Sequence, residues 1–173
     1  MAPSMTDTPD GPDHVGRILE QWRTERPDLD TSPLGVIGRL HRLAARLDDE
    51  LRTVFAAAGL ASGDFDVLAA LRRSGAPYEL SPGELGASTM VTSGAVTKRV
   101  DRLEAAGYVG RSVCADDARS RRVRLTDAGL RLVDDVVDRH VANEHRLLAG
   151  LDRDERATLA SLLEKWGRAL DGA

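Results

Sequence analysis

The sequence predicts a mainly α-helical chain with a small β-hairpin wing, in the order of a winged helix-turn-helix. Three observations carry this. Apolar residues recur at helical spacing along most of the chain. A short capped helix is followed, after a turn, by a second capped helix. That second helix runs into two segments of strict alternation around a basic loop.

The first nine residues are polar and contain proline, and residues 1–11 are expected to be disordered. A first helix is expected from Pro12 to Arg26, with Val15, Ile18, Leu19 and Trp22 on one face and Pro27 as its stop. Ser32-Pro33 starts the next, because a serine oxygen caps and proline is tolerated in the first turn. Its stripe is Ile37, Leu40, Ala44, Leu47, Leu51, Val54, Phe55 and Ala58, closed by Gly59. Ser62 opens a helix with Phe65, Leu68 and Leu71 on its apolar side, ending at Gly75.

Ser81-Pro82-Gly83-Glu84 has capping-box spacing, and only a turn and a half of helix fits before Ser88-Thr89. Thr92 then caps a helix of about four turns that Gly107 closes. Val109, Arg111 and Val113 alternate with Gly110, Ser112 and Cys114, and Arg122 and Arg124 alternate with Val123 and Leu125. These are two strands, with a long mobile loop expected over Asp116–Ser120. Thr126 caps a long helix to about Gly150, with Leu130, Val133, Val137, Val141 and Leu148 inward. Asp152 and Glu155 form a second capping box, before a last helix bearing Leu159, Leu162, Leu163, Trp166 and Leu170. The expected organisation is therefore an extension and dimerisation helices over 12–60, the winged region over 61–126 and C-terminal dimerisation helices over 127–173.

Composition narrows the function. The 173 residues, 42% of them hydrophobic, are enough for a real core. No apolar run approaches the 18 residues of a membrane helix. The N-terminal stretch lacks a basic segment followed by an apolar one, so a cytoplasmic location is expected. Cys114 is the single cysteine, which excludes an intrachain disulfide. The net charge of −4 argues against a simple basic nucleic-acid binder, but the charge is unevenly spread. From Ser81 to Thr126 eight Lys/Arg face five acids, a net of +3, which leaves −7 on the rest. A basic centre on an acidic scaffold fits a module that contacts DNA.

The residues that would carry such contacts lie on the Thr92–Gly107 helix and the wing. At about 100° per residue, Val96, Val100 and Leu103 share an inward face, whereas Gly94, Lys98, Asp101 and Arg102 point away and Thr97 sits at the edge. Lys98 and Arg102 are one turn apart and can reach along a major groove. Gly94 near the N-terminus permits close backbone approach, where the helix dipole favours phosphate. Arg119, Arg121, Arg122 and Arg124 crowd the hairpin, which suits a minor groove and its phosphates. The plain alternative is a solvated polar face and a solubilising charge run.

The stretch Asp117-Ala118-Arg119-Ser120 through Val123-Arg124-Leu125-Thr126-Asp127-Ala128-Gly129 resembles the wing of the MarR family, D-x-R followed by V-x-L-T-x-x-G. Thr92-Ser93-Gly94-Ala95-Val96-Thr97-Lys98-Arg99-Val100-Asp101-Arg102-Leu103-Glu104 is similar to that family's recognition helix. The resemblance covers about Leu34 to Leu170. It implies a triangular, intertwined homodimer with two winged lobes, and a repressor that a small molecule releases from a palindromic operator. The implied DNA-contacting residues are Ser81, Thr92, Ser93, Gly94, Thr97, Lys98, Arg102, Arg119 and Arg121.

Trp22 and the segment Glu25-Arg26-Pro27-Asp28-Leu29-Asp30-Thr31-Ser32-Pro33 look like the N-terminal extension of the family's urate-responsive branch. By position, Trp22, Asp66, Arg99 and Arg111 match that branch's ligand residues. The implied effector is a small anion, urate or another purine; related regulators answer to citrate or trans-aconitate. The residues themselves agree unevenly with this. Arg99 lies at the edge of the buried helix face, and Arg111 shares strand phase with Val109 and Val113, so both are drawn inward. Asp66 falls nearly opposite the Phe65, Leu68 and Leu71 stripe and reads as a surface residue. Trp22 reads equally as packing, dimer contact or ligand contact.

Two other readings stay open. Cys114 at the end of the first wing strand is a candidate redox sensor, with nearby arginines to lower its pKa, or a small strand residue. His140 and Glu144, one turn apart, are a candidate metal pair or an ordinary helical polar pair. No P-loop, G-x-G-x-x-G or H-E-x-x-H is present, so an enzyme is not expected, and no cofactor is implied.

Overall fold

The computed structural model describes residues 11–89, 93–114 and 117–172, with the side chains of 93–95 and 113–120 outside the description. Seven helices and three strands follow in the order α1 (His14–Glu25), α2 (Ser32–Ala56), α3 (Ser62–Arg73), β1 (Glu79–Leu80), α4 (Pro82–Ser88), α5 (Ser93–Ala105), β2 (Val109–Cys114), β3 (Asp117–Leu125), α6 (Asp127–Leu147) and α7 (Arg153–Asp171). The chain divides into two compact units, Met1–Glu50 and Leu51–Ala173. The second holds the winged segment and the C-terminal helices together.

In the first unit, the cap of α1 is also its tie to α2. Asp13 accepts from the Gly16 backbone N–H at 2.7 Å and from Arg39 Nε and Nη2 at 3.0 and 2.8 Å. These bonds stabilise the ionised carboxylate, Arg39 most and the Gly16 N–H next, and hold the Asp13 pKa below its ordinary value. The start expected at Pro12 therefore shifts, with Asp13 as N-cap. Val15 is buried beside Gly38.

In the second unit, α3 is the hub. Val67, Leu68, Ala69, Ala70 and Leu71 are buried in succession, so this helix is apolar on nearly every side. It packs on α5, α6, α4 and β3. Leu68, Leu71, Leu85, Leu103, Val133 and Val136 are its fully buried companions in the core. Burying each such side chain contributes about 1.5–3 kcal/mol. Arg72 of α3 also pairs with Asp134 of α6 at 2.7 Å.

The sheet is antiparallel in the order β1-β3-β2. The register sets Val109 opposite Leu125 and Arg111 opposite Val123, with a shift between Val113 and Cys114. Two expectations change here. Strand β3 begins at Asp117, so residues 117–120 are strand and not part of a long loop. A third strand, β1, pairs Glu79 with Arg124 and Leu80 with Val123; two residues carry no periodicity to announce it.

Both expected capping boxes form. Ser81 Oγ accepts from Glu84 N at 3.3 Å while Glu84 accepts from Ser81 N at 2.8 Å. Asp152 and Glu155 do the same at α7. Ser62, read as the opening residue of α3, does begin it. The first-turn acid Asp64 also accepts from the Ala61 backbone N–H, at 3.1 Å.

Thr126 joins two elements through one hydroxyl. It accepts from Gly129 N at 3.0 Å and donates to the Gly107 carbonyl at 2.8 Å. Gly107 has φ +78°, a conformation that favours glycine. Gly129 must lack a Cβ, which would meet the Tyr108 carbonyl oxygen at 1.9 Å. Thr126→Ala should lower the unfolding free energy by about 1 kcal/mol through the lost cap. Urea unfolding at fixed protein concentration measures this, with the midpoint falling and the slope unchanged.

Candidate nucleic-acid interface

The two helices after β1 and the sheet beyond them set the site. α4 and α5 pack on each other and on α3, and Leu85, Val96, Val100 and Leu103 form the apolar contact beneath them. This is the inward face read from the sequence. Thr97 and Lys98 are exposed on the other side of α5. Arg121 is exposed on β3. Ser81 serves as the N-cap of α4. Thr92, and the side chains of Ser93, Gly94, Cys114 and Arg119, lie outside the described residues.

α5 is gripped by ion pairs on both flanks. On one flank, Arg102 donates to the Asp64 carboxylate of α3 through Nε at 3.1 Å and through Nη2. The Asp64 side chain is 4% exposed and that of Arg102 58%. Hydrogen bonding to Asp64 raises the Arg102 pKa, with the charge attraction adding to it. On the other flank, Arg111 of β2 pairs with Asp101 and Glu104 of α5. Its backbone N–H also donates to Glu104 at 3.2 Å. The hydrogen bond to Asp101 is the largest cause of the raised Arg111 pKa.

Arg102 is thus solvent-facing as expected, but its guanidinium is already engaged and does not extend freely beside Lys98. Arg111 has the strand phase expected of it, opposite Val123, but it is exposed and not drawn inward, because its guanidinium turns to the carboxylates of α5. It borders a cavity of about 310 Å³ between α4, α5 and the sheet, floored by Leu85, Val100 and Val123 with Thr97 and Arg121 beside it.

Arg99 lies on the α3 side of α5. Its guanidinium covers Gly63, where a Cβ would come within 2.1 Å of its Nε and Cζ. Its Nη1 is buried with no hydrogen-bond partner among the described residues. Arg99 and Arg111 thus have different neighbours, Gly63 of α3 for one and Asp101 and Glu104 of α5 for the other. Asp66 is half-buried on α3, not a surface residue, because α4, α5, α6 and β3 all pack on that helix. Trp22 is 42% exposed in the first unit.

The partners of the two arginines escaped the sequence reading. Asp64 carries one usable signal, an acid in the first turn of a helix whose next residues are apolar. Asp101 was placed on the outward face of α5, but the partner that it shares with Glu104 comes from a strand. His140 Nε2 lies 3.2 Å from Glu144, and the ring contacts Phe55 and Phe65. Among the described residues no group of three His, Cys, Asp or Glu is arranged to hold a metal. Among them too, no helix is long and apolar enough to cross a membrane.

The MarR family model matches residues 58–120, which span α3 to the wing. The chain is 43% identical over 149 residues to the HTH-type transcriptional regulator PecS of Dickeya dadantii, covering 86% of this chain and 90% of that protein. The chain belongs to the MarR family. The family is one of DNA-binding transcription regulators, not of enzymes. Two solved MarR-type structures agree in fold. A mutant MarR from E. coli complexed with operator DNA superimposes with TM-score 0.66 at 28% identity, covering 83% of this chain and 96% of that one. BpsR of Bordetella bronchiseptica, whose DNA binding is regulated by 6-hydroxynicotinic acid, gives TM-score 0.68 at 26% identity, covering 76% and 92%. The winged helix-turn-helix of this MarR-family chain is therefore α4, α5 and the β2–β3 wing, with α5 in the recognition position.

Arg111 neutralises two carboxylates of α5 that would repel phosphate if this face lay against DNA. Arg111→Ala should weaken DNA binding by on the order of tenfold. Asp101→Asn with Glu104→Gln in that background should recover most of the loss. Fluorescence anisotropy on a labelled duplex measures both; a triple variant as weak as Arg111→Ala means that the charges are not the cause.

Proposed function

We propose that the protein is a dimeric repressor that an anionic small molecule releases from a palindromic operator. The observation that carries the DNA half is the exposed Thr97–Lys98 face of α5, braced on both flanks and followed by a basic wing. Lys98 and Thr97 enter the major groove, with Thr92, Ser93 and Gly94 at the helix N-terminus and Ser81 on the flanking phosphates. Arg119 and Arg121 lie along the minor groove. Arg119→Ala should weaken binding to all duplexes and flatten the salt dependence by about 0.9 per wing. Lys98→Ala should also change base preference in a selection from random duplexes. Wild-type behaviour in both variants would overturn the assignment.

The dimer is supported by apolar side chains that the single chain leaves uncovered. No residue of α7 is buried, and Leu159, Leu162, Leu163 and Leu170 are 42–65% exposed. Val141 of α6 and its C-cap Leu148, read as inward from the sequence, are exposed as well, as are Ile37, Leu40, Leu43 and Leu47 of α2. Surfaces of this kind are covered by a second copy, giving a two-fold dimer with half-sites about 10 bp apart. Light scattering should return twice the chain mass; a monomer at working concentration removes this reading.

The effector is a small anion, urate or another purine ahead of citrate or trans-aconitate. Support comes from Arg99, a half-buried cation on the recognition helix itself, whose buried Nη1 has no partner among the described residues. Asp66, on the same helix as Gly63, senses the ligand's charge. Arg111 takes part by exchanging Asp101 and Glu104 for the ligand. A thermal-shift series over urate, xanthine, citrate and trans-aconitate should give one class with a clear rise. Arg99→Ala should abolish that rise, and its retention would place the ligand elsewhere.

A further inference from the structure

We propose that Arg102 is a positioning residue, which sets the pitch of α5 through the buried carboxylate of Asp64, and that it does not serve as a DNA contact. The inference deepens the DNA-binding reading above and rests on it.

The Asp64 side chain is 4% exposed, on a helix that is the hub of the core. Its two oxygens are divided between two tasks. Oδ2 accepts from the Ala61 backbone N–H at 3.1 Å, which closes the start of α3. Oδ1 takes Arg102 Nε at 3.1 Å together with Nη2. A carboxylate this deep requires a counter-charge, and Arg102 supplies it. The guanidinium bonds back from α5 to α3, while the Arg102 side chain stays 58% exposed. Arg99, three residues earlier, covers Gly63, the neighbour of Asp64. The first turn of α3 therefore takes two successive arginines of α5, and the pair Asp64–Arg102 fixes where along α3 the recognition helix rests. The Arg111 clamp on the opposite flank prevents α5 from rolling the other way. The geometry leaves Lys98 and Thr97 as the groove-facing side chains.

The two roles make opposite electrostatic predictions. If Arg102 binds phosphate, Asp64 competes with DNA for it, and Asp64→Asn strengthens binding by removing a negative charge. If Arg102 positions α5, the same substitution weakens discrimination between sequences. The probes are a duplex selected from a random library by the wild-type full-length protein, and poly(dI-dC) as non-specific DNA. Positioning predicts that Asp64→Asn and Arg102→Gln each lose roughly tenfold in the ratio of the two affinities, and that the double variant is no worse than either single one. The slope of log affinity against log salt on poly(dI-dC) stays at the wild-type value in Arg102→Gln, whereas a phosphate contact would remove about 0.9 per protomer. A reduced slope in Arg102→Gln together with equal or tighter binding by Asp64→Asn overturns the proposal. Circular dichroism confirms folding at the titration temperature. If Asp64→Asn does not fold, Arg102→Lys decides. Lysine keeps the charge for phosphate but not the two donors that meet Oδ1, so selectivity falls if the residue positions and is kept if it contacts DNA. If no duplex is enriched from the library, the DNA-binding reading fails, an outcome separate from any of these.

Discussion

The carboxylate of Asp64 sits where the structure has least freedom. It lies in the first turn of α3, the helix buried on nearly every side, and it reaches out of that core to Arg102 of α5. A recognition helix cannot be held by apolar contact alone, because Val96, Val100 and Leu103 define a stripe about which the helix can still roll. Direction comes from the charged pairs on either side of that stripe. Asp101 and Glu104 bind Arg111 of the sheet, and Arg102 binds Asp64 of the hub. The wing and the core thus hold α5 from opposite flanks, and the exposed strip between the clamps carries Thr97 and Lys98. Ion pairs at exposed positions contribute little to stability. The pair that includes Asp64 differs, because one partner is buried and would be left without a counter-charge.

Most elements were legible because local chemistry and the global arrangement agree. Ser81 with Glu84, Asp152 with Glu155, and Thr126 before α6 are signals that act within four residues, and each cap forms. The inward face of α5 and the strand phase of Arg111 follow from periodicity alone. What was not legible shares one cause. Asp66 was read as surface because its stripe has a polar side, but α3 is packed by α4, α5, α6 and β3, which leaves Asp66 only partly exposed. Val141 and Leu148 have the phase of core residues yet are uncovered within one chain. Arg102 was read as free because its partner lies 38 positions away, at a distance that no helical period encodes. In each case a contact distant in sequence overrides a local pattern.

The charge pattern has the same logic. A chain of net charge −4 binds a polyanion only if its acids are kept from the contact surface or neutralised on it. Asp101 and Glu104 are on α5 itself, so they are neutralised by Arg111 in place. Glu79 and Glu84, on β1 and α4, lie within 3.7 and 3.6 Å of Arg122. Wing and sheet arginines therefore have two tasks. Arg111 and Arg122 cancel local acids, while Arg121 stays exposed for an outside anion.

The position of Arg99 connects the proposed effector to this frame. Arg99 and Arg102 are neighbours on α5, and the residues they cover, Gly63 and Asp64, are consecutive on α3. The absence of a Cβ at residue 63 lets the Arg99 guanidinium lie directly on the backbone of α3. An anion that draws Arg99 off Gly63 pulls on the same turn of α5 that Arg102 anchors. It cannot move Arg99 without loading the bond to Asp64, because the two arginines share one rigid helix. Differential affinity for the two settings of α5 is all that linkage requires, typically about 1–3 kcal/mol between effector and DNA, felt equally in both directions. The first turn of α3 is thus both the fixed point of the recognition helix and the place where a small charge has most leverage over it.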